Sequence, residues 1–486
     1  MSVLSITLPL AFSFILLHLL WPTPGVRDIR MAIKFFLSLG MGLGLSSISY
    51  WLSLFFLGAY THVAILADYV VFISGILICI VILRKTNRTR DANKQPIDFK
   101  KENQDILWWN KIPFLALGFW LVAIIAMGLF FVQSQTAPHG SWDAWAIWNM
   151  RARFLFRAPT QWIDAFSNIP SMTHSDYPLL IPATIARIWT CIGTDALWVP
   201  MAIAFLFTAG TVGLLVTSIM LLKNRNHGYV AGLVLLSLSY FTLQGAGQVA
   251  DVPFGFFVLS TILLFFLKDN FQNQSVCFLA IGMMAGLSAW TKNEGLLFVV
   301  VVVGAHFIVT LFQKGWAAYI KELFPLLSGL LPILLMIFHF KMTINSTNDL
   351  VSQRNGNQVF TFLLDIDRYI VVAKAYLSYF NKKFLSLIVT FPLCYMMLKF
   401  SKTENQRPNF LIAWMIIFSL LSGYFMVYII TPHDLQWHLK TSLSRLYLHV
   451  IPSLIFVFFL NLNAIMPQME KHRNQASGVM RKTIRM

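Results

Sequence analysis

The sequence predicts an all-α, polytopic membrane protein, built as a single integral membrane domain over residues 1–470. Three observations carry this expectation. Apolar runs long enough to cross a bilayer, roughly 20 residues each, recur throughout the chain. Of the 486 residues, 57% are hydrophobic and only 12% are charged, about half the charged share of an ordinary soluble domain. The runs are also continuous, whereas a membrane β-barrel needs strict alternation.

Taken in order, spans are expected near 3–21, 35–57, 62–83, 112–133, 197–222, 229–246, 252–267, 276–290, 296–313, 323–339, 384–398, 410–430 and 447–464, about 13 in all. No basic region precedes the first run and no small-residue cleavage site follows it, so residues 1–21 read as a span and not as a cleaved signal. Gly40, Gly42 and Gly44 give the second span small residues for close helix contact. Asp68, near the outer end of the third span, reads as a snorkelling or capping acid. Residues 84–111 are polar and of mixed charge and are expected to form a cytoplasmic linker loop. Residues 134–196 form the first large outer loop, 340–383 a second, and 431–446 the last. Residues 471–486 read as a basic cytoplasmic tail.

The net charge is +17. With the 84–111 loop inside, most of the 37 Lys and Arg residues fall in inner loops, as the positive-inside rule requires. The basic excess is therefore a topology signal. It points to membrane lipids as partners and gives no reason to invoke nucleic acid. Cys79, Cys191, Cys277 and Cys394 form no CxxC and lie in or beside apolar runs, which fits packing residues.

The first outer loop carries the most distinctive stretch, His139-Gly140-Ser141-Trp142-Asp143-Ala144-Trp145. A helix-like run follows, Trp145 to Phe156, with Trp145, Trp148, Ala152 and Leu155 on one stripe. Asn149, Arg151 and Arg153 lie off that stripe. Such a helix is expected to lie in the interface, indoles at headgroup depth and cations toward lipid phosphate. Asp143 stands at its first turn, where the helix dipole favours negative charge. Pro178 suits the first turn of a second helix near 178–192, with Ser175 or Asp176 as cap. That helix reads as re-entrant, interfacial or a short span, and is placed on the outer side because a full span would reverse every later loop and spoil the charge asymmetry.

Residues of catalytic type concentrate on the outer side. They include His62, His139, His174, His339, His433, His438 and His449, with Asp143, Asp176, Asp251, Glu294 and Asp434. Charges near hydrocarbon are costly unless paired or facing a wet cavity, so the clustering predicts a cavity that opens outward. No Walker A, HExxH or GxSxG sequence is present, which leaves nucleotide-driven transport and zinc or serine hydrolysis without a motif. A divalent cation, Mg2+ or Mn2+, stays open as a cofactor, with Asp251 either holding it or capping its helix.

Four short motifs resemble GT-C membrane glycosyltransferases, in particular the bacterial relatives of dolichyl-phosphate-mannose protein mannosyltransferases and the aminoarabinose transferases. They are Trp142-Asp143 after a span, Tyr177-Pro178 starting the next helix, Asp251-Val252-Pro253 opening a span, and Lys292-x-Glu294-Gly295 closing another. The resemblance covers roughly residues 110–310. Trp145 stands where some members carry a second acid, and a C-terminal soluble domain found in others is missing.

The resemblance implies transfer of a sugar from a polyprenyl-phosphate carrier to a hydroxyl of a glycan, lipid or protein acceptor. It implies an active site on the outer face of the plasma membrane. Asp143 is then expected as general base. Lys292, Arg445, Arg354, Arg151 and Arg153 are candidates for the donor phosphate. Asp251, Glu294 and Asp176 would orient the acceptor or a metal, and Trp142, His174, Tyr177, His433, His438 and His449 are further candidates. Two rivals remain. A secondary transporter or lipid flippase would show two related halves with acids near mid-membrane. An O-antigen ligase or polymerase would rely on a large late outer loop with Arg and His, which 340–383 and 431–446 supply.

Overall fold

The computed structural model describes residues 2–22, 28–92, 114–166, 174–344, 356–400 and 407–463. Its helices, in chain order, are α1 (Ser2–Leu20), α2 (Ile29–Leu57), α3 (His62–Ala92), α4 (Phe114–Thr136), α5 (Asn149–Arg157), α6 (Leu180–Ile192), α7 (Trp198–Leu222), α8 (Arg225–Leu236) and α9 (Ser239–Ala246). They continue with α10 (Asp251–Leu267), α11 (Gln274–Thr291), α12 (Glu294–Lys314), α13 (Trp316–Ile344), α14 (Gly356–Leu364), α15 (Ile366–Leu398), α16 (Arg407–Ile429), α17 (Leu435–Leu448) and α18 (Ile451–Asn461). Among the described residues the only strand-like pairing is one bridge, Phe400 with Leu462. Among the described residues ten helices are long and apolar enough to cross a membrane, or up to 12 when each of two bent pairs counts as one crossing. The chain is a multi-pass helical membrane protein.

The differences from the expected spans have local causes. The run at 229–246 is broken into α8 and α9, which meet at 67°, and that at 447–464 belongs to the pair α17 and α18, bent by 41°. The span expected over 384–398 is the second half of the longer α15, which kinks at Phe384 (φ −130°). The expected 84–111 loop begins later, because α3 continues as helix to Ala92. Residues 93–111, the 471–486 tail and Arg354 lie outside the described residues.

α6 is 13 residues long, about 20 Å, and too short to cross a bilayer alone. Most of its residues are buried. It packs against α1, α2 and α5, with Thr184 Oγ1 donating to Leu43 O at 3.2 Å. Its Arg187 corrects the reading of Asp68. That acid does not snorkel. It pairs in the interior with the Arg187 guanidinium and accepts from Ser49 Oγ at 2.5 Å, while Arg187 Nη1 donates to Ser5 O at 2.5 Å. A charge removed from water needs such partners.

The core is organised around α10, in which every residue from Asp251 to Leu267 is buried. A helix apolar on all sides belongs inside a bundle, and α2, α7, α11 and α18 enclose it. Its two charged neighbours mark the two ends of the bundle. Asp251 begins it, and buried Lys268 follows it, with Nζ 2.9 Å from Asn409 Oδ1. The glycines of α2 serve three neighbours and not one face: Gly40 meets Phe256 of α10, Gly42 the Pro9–Leu10 backbone of α1, and Gly44 Leu287 of α11.

α11 and α13 cross closely. A Cβ at Gly282 would stand 2.0 Å from Leu326 O, and one at Gly329 would stand 2.1 Å from Leu279 O. Backbone cannot rotate away as a side chain can, so Gly329→Ala must part the helices. A loss of about 1–3 kcal/mol is expected, read as a lower thermal midpoint of the detergent-solubilised protein. An unchanged midpoint would show that the crossing opens freely.

Candidate functional site

Asp143 follows α4 across the turn at 137–142, and that turn is clamped to the segment preceding α10. Ser141 N donates to Gly247 O at 2.9 Å, and Gln248 Nε2 donates to Pro138 O at 3.2 Å. Asn149 Nδ2 closes the clamp, reaching Gln248 Oε1 at 2.8 Å and His139 O at 3.1 Å. Gln248 holds a left-handed backbone, φ 57°. Three residues later the chain enters α10 at Asp251. The clamp therefore fixes two acids from distant parts of the chain on one side of the bundle.

Arg445, on α17, joins them. Its Nη1 lies 2.6 Å from Asp143 Oδ2, and its Nε lies 3.0 Å from Asp251 Oδ2. Asp251 is 1% exposed. Its Oδ1 takes Lys292 Nζ at 2.9 Å and His449 Nε2 at 3.0 Å. His449 sits between α17 and α18, and its Nδ1 is 2.9 Å from Tyr424 Oη. Lys292 ends α11 and also bridges to Glu294 Oε1 at 2.9 Å. The reversal from α11 to α12 is tight: a Cβ at Gly295 would stand 2.4 Å from the Ala289 backbone. Only glycine fits there, which explains the Lys292-x-Glu294-Gly295 pattern. Glu294 Oε2 is buried and makes no hydrogen bond.

The result is one continuous chain of charge, Asp143–Arg445–Asp251–Lys292–Glu294, with His449 and Tyr424 behind it. Neither acid is a helix cap. Asp143 makes no capping hydrogen bond, and Asp251 gives both oxygens to basic side chains. That arrangement commits both oxygens of buried Asp251 to Arg445, Lys292 and His449. Among the described residues no group of three His, Cys, Asp or Glu side chains is placed to hold a metal ion.

Asp176 lies beside this chain. Its Oδ2 accepts from Asn293 Nδ2 at 2.5 Å. Lys341, from the end of α13, donates to Asp176 O at 3.0 Å and Asn293 Oδ1 at 2.8 Å. Lys341 thereby ties the 174–178 segment to the α11–α12 reversal. Tyr177 is stacked between Trp148 and His174, ring centroids 5.4 and 5.0 Å apart. Burial raises the Tyr177 phenol well above its ordinary value, so it stays neutral. His438 is held to Thr431 Oγ1 by Nδ1 at 2.9 Å and rests on the Tyr428 ring. His433 lies against Trp437 and His438.

The loop helix departs from expectation. Ala144–Trp148 is a π turn, with Asn149 N bonded to Ala144 O. The extra residue turns the following face inward. Trp148, Asn149 and Arg151 are buried, whereas Trp145 is 56% exposed. Arg151 is thus no outward cation for a phosphate. Its Nη2 donates to His174 O at 2.6 Å and its guanidinium covers the Phe166 ring. Burial lowers its pKa to about 10. Arg153 is held by His139 Nδ1 at 3.0 Å and by Asp195 at 3.9 Å. Trp142, Trp145, Met150, Arg153, Phe154 and Arg157 line a mainly apolar groove of about 570 Å³.

Sequence reasoning missed Lys341, Asn293 and Tyr424. Lys341 left a trace, as a cation ending a long apolar helix; Tyr424 left none. The fold is that of a polytopic helical membrane protein with a buried ion network at one end. Compared with protein-family models, curated proteins and solved structures, the chain gives no significant match.

Proposed function

We propose that the chain is a GT-C-type glycosyltransferase that uses a polyprenyl-phosphate-linked sugar on the outer face of the plasma membrane. The two bent pairs and the second half of α15 then complete about 13 crossings. The observation that carries the reading is the contact of Asp143 with Arg445 within a chain that also holds Lys292. A partly exposed acid and two cations stand together, and an apolar groove is lined by Trp142, the residue before that acid.

Those groups match the demands of one displacement. The acceptor oxygen forms a bond to the anomeric carbon. The carbon–oxygen bond to the lipid phosphate breaks, and its electron pair leaves with the phosphate. The hydroxyl proton passes to Asp143 as general base. Arg445 stabilises the charge that grows on the leaving phosphate, while Lys292 holds the Asp251 carboxylate that anchors Arg445. Because the carrier is a lipid, no nucleotide site is required.

The test is reconstitution with polyprenyl-phosphate sugars and candidate hydroxyl acceptors, followed by NMR of the product linkage. A single displacement gives the anomeric configuration opposite to that of the donor. Retention would exclude this mechanism. Vectorial movement of the lipid without a new glycosidic bond would favour the flippase.

A further inference from the structure

Resting on the reading above, we infer that the edge of Arg445 now covered by Asp143 is the seat of the donor's phosphate, and that the phosphate frees Asp143 by displacing it. Arg445 has two carboxylate partners of unequal standing. Asp251 is buried and anchored at both oxygens, by Arg445 on one and by Lys292 and His449 on the other. Its departure would strand three basic groups in the interior. The Asp143 side chain keeps 21% of its surface exposed and caps no helix. Of the two, Asp143 is the one that can leave.

Charge balance requires that something leave. The chain contains three carboxylates, Asp143, Asp251 and Glu294, against two permanent cations, Arg445 and Lys292. A phosphate added on top of this set would meet a net negative site. Exchanged for Asp143 on Arg445, it meets a guanidinium fork whose geometry suits two phosphate oxygens. Lys292 cannot offer the same seat, because Asp251 and Glu294 already hold it at 2.9 Å each. A groove lined by Trp142 and Trp145, the sequence neighbours of Asp143, has room for an apolar chain.

The exchange orders the reaction. The Asp143 oxygen that faces Arg445 is occupied by the guanidinium and cannot meet an acceptor hydroxyl. Once the phosphate holds Arg445, Asp143 is free to take the acceptor's proton. The donor binds first, and its headgroup switches on the base.

The experiment measures binding of decaprenyl phosphate, which carries no sugar, to the full chain in zwitterionic nanodiscs. Removing the competing charge with Asp143→Asn is expected to tighten binding about fivefold or more. Arg445→Lys should weaken it by a similar factor and abolish the gain in the double variant. Asp367→Asn, on an exposed acid outside the Arg445 network, should leave it unchanged. Asp143→Ser repeats the first measurement with a second side chain. Equal or weaker binding by both Asp143 variants overturns the exchange while leaving the lipid-phosphate donor standing. Absence of binding by every form overturns both.

Discussion

Asp143→Asn is expected to reduce sugar transfer by about 10²- to 10⁴-fold, the range lost with a general base, while the protein stays folded. The substitution is nearly isosteric. It removes the negative charge and the proton-accepting oxygen and little else. Asp143 makes no capping hydrogen bond, and its ion pair with Arg445 is partly exposed, worth about 1 kcal/mol or less. Turnover and folding should therefore separate cleanly. Elution on size exclusion and the thermal midpoint should match the parent, and donor consumption should not. Turnover near that of the parent would remove Asp143 from the chemistry.

Asp251→Ala should behave in the opposite manner, with folding as its first casualty. Arg445, Lys292 and His449 converge on this one carboxylate. Without it, two permanent cations face each other in the interior with only Glu294 and Asp143 to answer them. Breaking a buried ion pair by removing one partner typically costs about 3–5 kcal/mol. A lower thermal midpoint or loss of folded yield is the expected outcome. If Asp251→Ala melts with the parent, water reaches the site freely and the network is not a structural anchor. The two variants distinguish an acid that acts at the surface from an acid that holds the acting groups in place.

Much of the site was readable because charge at the end of an apolar run demands a reason. Asp251, Lys292, Glu294, Arg445 and His449 all violate the composition around them, and the structure joins them in one network. Arg151 was misread for a definite cause. A period of 3.6 residues was assumed from Trp145 onward, but the π turn adds a residue at Ala144–Trp148 and rotates the register by about 100°. Side chains expected to face lipid therefore point inward. Lys341 and Tyr424 were illegible because each has an ordinary local explanation. A lysine at a helix end snorkels, and a tyrosine in a span packs; only their partners, Asp176 with Asn293 and His449, say otherwise. The span pattern was legible for the straight helices. It failed at the bends of α8 with α9, α15 and α17 with α18, since apolar composition reports residence in lipid and not axis direction.

Gln248 shows what this architecture accepts in order to work. A left-handed conformation at a residue with a side chain costs roughly 1–2 kcal/mol, and glycine at that position would recover it. Glycine would also discard the amide that grips Pro138 and Asn149. The spacing between the reactive carboxylate and its anchor would then be set by a slack tether. Glutamine here accepts backbone strain in return for two side-chain bonds that hold those two acids at a constant separation.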